Sequence, residues 1–445
     1  MAALTYEAAL EALADRGRFG IRLGLGRTRA LLRELGDPQR SVRGALVAGT
    51  NGKGSVLALA GAALQAAGYR VATTPKPHLV SYRERLQIDG RPVDPVTFAR
   101  LVDEILPVAD RVARRHGEPT EFELLTAVVF RWFADEQPDI ALVEVGLGGR
   151  LDATHAWDGG VAAITNVALD HMEQLGPTVE AIAREKAAII ERGDVAVTGA
   201  TGPALAIVRR RARRLGVPLT VVEPAPLLGW DRNGIDVELP RMGRTQVSLR
   251  GRHQAANVAV ADAVLDALEV AGIVTTPPAA RRTGYGRAVW PGRLELVRAG
   301  GHDVLLDGAH NPAGAAALAE AVGDLRPFLE AGRVTLVLGA MADKDVDGII
   351  AGLAREPSLA TARIVATAVN APRALPAVTL AERWRVLVPD AAVETTATSR
   401  EALERALGDP IGGAGPAGPV VVAGSLYLVG EVRSRLVDDP ALRDG

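Results

Sequence analysis

The chain of 445 residues carries 51 Lys plus Arg against 53 Asp plus Glu, a formal net charge of −2, and has no cysteine. The charge balance gives no electrostatic footprint for nucleic acid or an anionic membrane. The missing cysteines exclude disulfides, thiolate nucleophiles, iron–sulfur clusters and cysteine-based zinc sites.

At this length two or three domains are expected, and 48% hydrophobic residues suffice for large cores. The opening residues alternate apolar side chains with Glu and Asp at helical spacing, unlike a signal or transit peptide. The longest apolar stretch, 56–67, is too short to span a bilayer, so a cytoplasmic protein is expected. An apolar run at 45–48, a Gly-rich turn and a helix from Lys53 to about Tyr69 read as strand, phosphate loop, helix. Strands predicted at 70–74, 139–145, 161–167 and 195–198 alternate with helices at 96–115, 121–135, 178–192 and 203–215. That rhythm predicts an α/β fold with a mostly parallel sheet covered on both faces.

Residues 228–250 break the rhythm with short alternating segments, the pattern of a small antiparallel appendage. A helix at 254–271 and the loop ending in Trp290-Pro-Gly-Arg293 close this first unit, 1–294. The α/β pattern restarts in 295–445, with strands near 303–306, 334–338, 363–367 and 420–423 and a helix at 312–325. The segment 411–419 reads as a flexible surface loop leading into the last strand.

Five motifs carry chemistry. In the first, Gly49-Thr50-Asn51-Gly52-Lys53-Gly54-Ser55 opens a helix behind a strand, where backbone N–H groups converge on phosphate oxygens and Lys53 adds charge. Glu144, in VEVGLGGRLDAT, ends a buried strand, where a carboxylate can hold Mg²⁺ against phosphates; its glycines do not fit the dinucleotide fingerprint. In ITNVALDH, Asp170 and His171 end the next strand and face the same cleft. Lys186 sits on the following helix in AREKAAII. In LLDGAHNP, Asn311 caps a helix that Pro312 starts, leaving Asp307 and His310 to face the cleft between the units. No nucleophile elbow or HExxH supports a hydrolase or metalloprotease.

Only four of the cationic side chains are lysines: Lys53, Lys76, Lys186 and Lys344. In a chain that otherwise uses arginine, these mark positions where a permanently charged fork cannot serve. At Lys186, an amine that must lose its proton to combine with CO₂ meets that description.

Taken together, these motifs resemble the folylpolyglutamate synthase and dihydrofolate synthase family of the Mur ligase superfamily. The resemblance also rests on Leu23-Gly24-Leu25-Gly-Arg27, Pro77-His-Leu-Val, His253-Gln-Ala-Ala-Asn257, Pro291-Gly-Arg293 and Ala423-Gly-Ser425, and covers nearly the whole chain. It implies a Mur-ligase-type phosphate-loop ATPase domain followed by a smaller Rossmann-like domain. The implied reaction is ATP-dependent: a pterin-linked carboxylate becomes an acyl phosphate, and L-glutamate displaces phosphate to form an amide.

By the same resemblance, Thr50 to Lys53 hold the phosphates with Ser55 as helper, Glu144 ligates a first Mg²⁺ and His171 a second. Lys186, as a CO₂-derived carbamate, supplies a negative ligand. Asn257, Arg293 and Asp307 contact the nucleotide, and His310 and Ser425 line the glutamate side. The pterin pocket is implied at Leu23, Gly24 and Leu25, at Thr120, Phe122 and Glu123, and at Leu151, Asp152 and Ala153. Lys76 departs from the pattern, standing where the family commonly has a magnesium-binding Ser; an ammonium cannot ligate Mg²⁺. Lys76 is expected to contact a phosphate or Glu144 instead, leaving the first metal more water. His155 replaces a usual Asn. The expected partners are dihydropteroate or folates and L-glutamate, with no nucleic acid, no membrane and a monomeric enzyme. Another Mur-type amino-acid ligase and a phosphate-loop ATPase switch are the alternatives.

Overall fold

The computed structural model describes residues 4–17, 22–408 and 418–442. Eight strands form the first sheet: β1 (Gly44–Ala48), β2 (Val71–Thr74), β3 (Gln87–Ile88), β4 (Arg91–Pro92), β5 (Ile140–Glu144), β6 (Gly160–Ile164), β7 (Val195–Thr198) and β8 (Leu219–Val221). They lie in the order β4-β3-β2-β5-β1-β6-β7-β8, parallel except for the β3 and β4 edge. Side chains alternate across a strand with period two. In β1, Leu46 and Ala48 face one core while Ala45 and Val47 face the other, and β5 divides in the same way. Helices Pro95–His116 and Glu121–Glu136 cover the first face. Lys53–Ala66, Gln254–Val270 and Pro278–Tyr285 cover the second. Both faces are apolar, which is why these strands read as continuous hydrophobic runs.

The appendage is a three-stranded antiparallel sheet of β9 (Leu227–Asp231), β10 (Gly234–Leu239) and β11 (Gly243–Val247). A third sheet follows, from β12 (Glu295–Ala299), β13 (His302–Leu306), β14 (Thr335–Leu338), β15 (Arg363–Thr367), β16 (Ala392–Thr396) and β17 (Val420–Ala423). Its order is β12-β13-β17-β14-β15-β16, with only β12 antiparallel. Here too two cores lie on opposite faces, Leu305, Leu336 and Val421 on one and Val304, Val337 and Val422 on the other.

Most predicted elements stand within a few residues of their places. The helix expected over 178–192 ends at Ala187, where the chain turns to bury Ile189 and Ile190. The antiparallel edge strands β3, β4 and β12 have no counterpart in the sequence reading. Of the loop expected at 411–419, residues 411–417 lie outside the described residues; Gly418 and Pro419 lead straight into β17.

Two close backbone approaches fix the elements around the first sheet's C-terminal edge. A Cβ on Gly284 would lie 2.3 Å from the Ala63 nitrogen and 2.4 Å from its Cα, so helix Pro278–Tyr285 rests directly on the helix behind the phosphate loop. A Cβ on Gly430 would lie 1.9 Å from the Leu79 carbonyl oxygen, joining helix Leu426–Leu436 to the loop after β2. Gly284→Ala must therefore push these helices away from each other at backbone level, and is expected to destabilise the protein by about 2 kcal/mol, seen as a lower urea midpoint.

Candidate active site

Parallel pairing sets Val47 beside Glu144 and Ala48 beside Ile164, so β1, β5 and β6 end side by side. The loops leaving those ends, together with loops from the third sheet, surround a cleft of about 650 Å³. One wall holds Gly49 to Ser55, Lys76, Phe122, Glu144, His171, Lys186 and Asn257; the facing side brings Arg293, Asp307, His310 and Ser425. Residues as far apart in sequence as Gly49 and Ser425 thus share one space.

The phosphate loop is held from its flank. Thr50 N–H donates to the Asn166 carbonyl at 3.0 Å and Asn51 N–H to Asn166 Oδ1 at 2.9 Å, while Thr165 Oγ1 donates to the Asn51 carbonyl at 2.6 Å. Gly52 has φ +81°, and a Cβ there would meet Asn257 Oδ1 at 2.2 Å. Glycine meets both the left-handed backbone and the close approach. Lys53 Nζ donates to the carbonyls of Gly49 and Thr50, both at 3.1 Å, and lies 3.8 Å from Glu144 Oε1. On the other side of the same loop, Lys186 Nζ donates to the Gly49 carbonyl at 2.9 Å. Burial, aided by the Lys53 charge, brings the Lys186 amine down to about 7.

Glu144 is buried, and burial raises its carboxyl above the usual range against the pull of Lys53 and Lys76. The Lys76 backbone N–H donates to Glu144 Oε2 at 2.9 Å. Its ammonium turns to three oxygens: the Glu144 carbonyl at 2.7 Å, Thr74 Oγ1 at 3.2 Å and the Thr74 carbonyl at 3.4 Å. Three donors meet three acceptors, so Lys76 engages the Glu144 carboxylate through its backbone. Burial lowers the Lys76 amine to about 8, with Asp152 and Glu144 opposing the shift.

Across the cleft, Asp307 accepts from the N–H groups of Leu294 and Ala309, both at 2.9 Å, and burial raises its carboxyl despite the Arg293 charge. His310 Nδ1 donates to the Gly308 carbonyl at 2.8 Å, which leaves Nε2 as the ring's lone-pair atom. Burial first, then Lys344, brings that imidazole down to about 4, so it is neutral at physiological pH. Asn311 caps helix Pro312–Leu325 as expected, its Oδ1 accepting from Gly314 N–H at 2.7 Å. Ser425 caps helix Leu426–Leu436 through Tyr427 N–H. His171 is 42% exposed at its side chain and 3.9 Å from Asp170; burial lowers its imidazole, and Asp170 opposes that.

Of the expected pterin-pocket residues, Phe122 alone lines the cleft. Leu23, Gly24, Leu25, Thr120, Glu123, Leu151, Asp152 and Ala153 are not among the residues lining it. Gly24 N–H donates to the Leu151 carbonyl at 3.3 Å, and Arg27 Nε pairs with Glu123 Oε2 at 2.9 Å. Thr120 and Glu123 form a reciprocal capping box on helix Glu121–Glu136. Asp152 ties its own loop by accepting from the N–H groups of Leu147 and Thr154. Ser55 Oγ accepts from Gln254 Nε2 at 3.4 Å, and Asn257 Nδ2 donates to Gln254 Oε1 at 2.8 Å.

Residues missed in the sequence also line the cleft: Asn166 beneath the phosphate loop, Arg85, whose Nε donates to His78 Nδ1 at 2.9 Å, and Tyr427. Asn166 stands inside a recognised motif, but nothing in its spacing marks a loop support. The donor set of the cleft, a buried carboxylate beside the phosphate loop and an imidazole in the same lining, suits a hard divalent cation carried with phosphates. Lys186 has one acceptor among the described residues and space toward the cleft.

Comparison with known proteins agrees with this arrangement. The model of the Mur ligase middle domain matches residues 47–265, and that of the Mur ligase glutamate ligase domain matches 292–426. The chain is 36% identical over 356 residues to the dihydrofolate synthase/folylpolyglutamate synthase of Bacillus subtilis, covering 78% of this chain and 82% of that one. It is similar to the structure of Mycobacterium tuberculosis folylpolyglutamate synthase complexed with ADP and AMPPCP, with a TM-score of 0.87 and 33% identity over 98% of this chain and 100% of that one. The bifunctional folylpolyglutamate synthase/dihydrofolate synthase of Yersinia pestis, complexed with AMPPNP and Mn ion, gives a TM-score of 0.81 and 29% identity over 97% and 98%.

Proposed function

The chain belongs to the folylpolyglutamate synthase and dihydrofolate synthase family of Mur ligases, and we propose that it joins L-glutamate to dihydropteroate, to reduced folates, or to both. Residues 1–294 form the ATP-binding domain and 295–445 the glutamate-ligase domain of a monomeric, cytoplasmic enzyme. The observation that carries this reading is the single cleft with the phosphate loop and Glu144 on one side and Asp307, His310 and Ser425 on the other.

The acceptor's carboxylate oxygen attacks the γ-phosphorus of ATP, ADP leaves, and an acyl phosphate forms. The amine of L-glutamate then attacks the acyl carbon, phosphate leaves, and the nitrogen gives up its proton. Thr50 to Ser55 and Lys53 hold the phosphates, and Asn257, Arg293 and Asp307 hold the rest of the nucleotide. Glu144, Ser55 and His171 are the residues that would hold Mg²⁺, which would offset phosphate charge. His310, neutral and with Nε2 free of the Gly308 bond, faces the glutamate side and accepts the amine's proton. Ser425 lines that side with it. Most of the chemistry is positioning and charge neutralisation. Leu23 to Leu25, Thr120 to Glu123 and Leu151 to Ala153, with Phe122 on the cleft, shape the pterin side.

The test compares phosphate release from Mg-ATP with L-glutamate in the presence of dihydropteroate, of tetrahydrofolate and of neither. Release with either acceptor supports the ligase, release with both shows two activities, and equal release without acceptor overturns the reading.

Lys186 carries a CO₂-derived carbamate in this reading. Only the neutral amine attacks CO₂, and with its pKa at about 7 that form prevails at higher pH and is lost at lower pH. Activity at fixed bicarbonate should therefore fall as the pH drops through that value. Carbon-13-labelled bicarbonate should give a carbamate resonance in the wild-type protein and none in Lys186→Arg; the same spectrum from both would remove the assignment.

Lys76 would offer no ligand to a Mg²⁺ that Glu144 holds. Lys76→Ser puts a hydroxyl there and removes an ammonium beside Glu144, so the Mg²⁺ concentration for half-maximal rate should fall. A magnesium titration and a rate both identical to wild type would contradict this.

A further inference from the structure

We infer that Asn311 is a positioning residue that clasps the two walls of the cleft together, a role distinct from capping its helix and resting on the ligase reading above. Its side chain reaches in two directions. Oδ1 accepts from Gly314 N–H at 2.7 Å, which fixes the orientation of the amide. Nδ2 then points across the cleft and donates to Asp170 Oδ2 at 3.2 Å and to Asn51 Oδ1 at 3.4 Å. Asn311 follows β13 of the third sheet, whereas Asn51 belongs to the phosphate loop after β1 and Asp170 to the loop after β6. One buried amide therefore spans both halves of the molecule.

The residue type is informative. Ser, Thr, Asp and Asn are all good helix caps. Asp has no donor when ionised, and a Ser or Thr hydroxyl that accepts the cap bond has a shorter reach. Only Asn caps with its oxygen and donates across a gap with its nitrogen. Asp170 is prepared to receive that donor. Its Oδ1 accepts from His171 N–H at 2.9 Å and lies 3.5 Å from Lys344 Nζ. Asn51 is equally fixed, with its N–H on Asn166 and its carbonyl under Thr165. The amide thus joins two pre-set acceptors beside His310 and sets how near the glutamate side stands to the phosphates. It touches no reacting atom.

Asn311→Asp separates the two roles, because the cap survives while the donor becomes a carboxylate opposite Asp170. The two facing carboxylates repel, so the melting temperature should fall in Asn311→Asp, KM for ATP should change little, and kcat should fall about 30-fold, the scale of one lost charge-assisted hydrogen bond. The reciprocal double variant, Asn311→Asp with Asp170→Asn, restores a donor and an acceptor in swapped positions and should recover at least about tenfold of that loss, as coupled residues do. Small-angle scattering with Mg-AMPPNP supplies a readout independent of turnover: wild type and the double variant should be more compact than Asn311→Asp. Full kcat in Asn311→Asp, or no recovery of kcat in the double variant, would each overturn the clasp. If wild type shows no acceptor-dependent phosphate release, the ligase reading fails by itself, and the scattering comparison still decides the clasp: equal compactness of all three proteins overturns it.

Discussion

Two lysine amines, Lys53 and Lys186, converge on the carbonyl oxygen of Gly49, at 3.1 and 2.9 Å. Both are largely removed from water, and two ammonium charges this close would repel. Burial and the Lys53 charge lower the Lys186 amine to about 7, so one of the two gives up its proton readily. Lys53 is the first residue of a helix pinned by Gly284, and Lys186 lies in the last turn of a helix packed against the sheet. The pair stays together with Lys53 carrying the charge, which Glu144 partly offsets and a polyphosphate offsets further.

The sheet register determines what else can join that pair. Because β1 lies between β5 and β6, their polar ends are spaced by adjacent strands, and Glu144, Asp170 and the phosphate loop become neighbours without sequence proximity. The third sheet repeats the device with β13 and β17, whose ends present Asp307 and Ser425. Two parallel sheets thus face each other by the same edge, as ligand-binding α/β sheets do. The appendage contributes at a distance. Trp230 Nε1 donates to the Asp324 carbonyl at 3.2 Å, and Arg252 forks onto the Asp324 carboxylate at 2.7 Å for both bonds, so the small sheet grips the helix that Asn311 caps. This grip joins the two halves of the molecule in addition to the Asn311 amide.

Much of this is legible because buried parallel strands announce themselves. Runs such as 45–48 and 420–423 can only be covered on both faces, and a polar residue ending such a run falls at the sheet's edge. Glu144 and Asp307 stand out in that way, whereas Asp170, expected at the end of the strand at 161–167, lies in the loop after β6, which ends at Ile164. Helix Pro312–Leu325 is legible to the residue, since Asn311-Pro312 is both cap and first turn. The illegible features are those set by tertiary contact. Arg85 reaches the cleft from a short helical turn after β2, and nothing periodic marks it. Helix Val179–Ala187 stops early because Ile189 and Ile190 are needed in the core, an override of local pattern. Thr120 and Glu123 carry the capping-box spacing, and the structure forms that box, with Arg27 also bonded to Glu123.

Lys76 shows why residue type, more than charge, decides these positions. Its ammonium occupies a buried corner lined by Phe122, 5.7 Å from the ring centre, and directs its three protons to three oxygens at the ends of β2 and β5. A guanidinium would bring five donors to a corner offering three acceptors, and would leave the rest buried and unmet. A point charge fits where a fork does not. By joining Thr74 to Glu144 it also ties the two strand ends whose separation sets the direction of the Glu144 carboxylate. A group that cannot ligate a metal thereby aims one that can, and the scarcity of lysine in this chain is the trace left by that kind of demand.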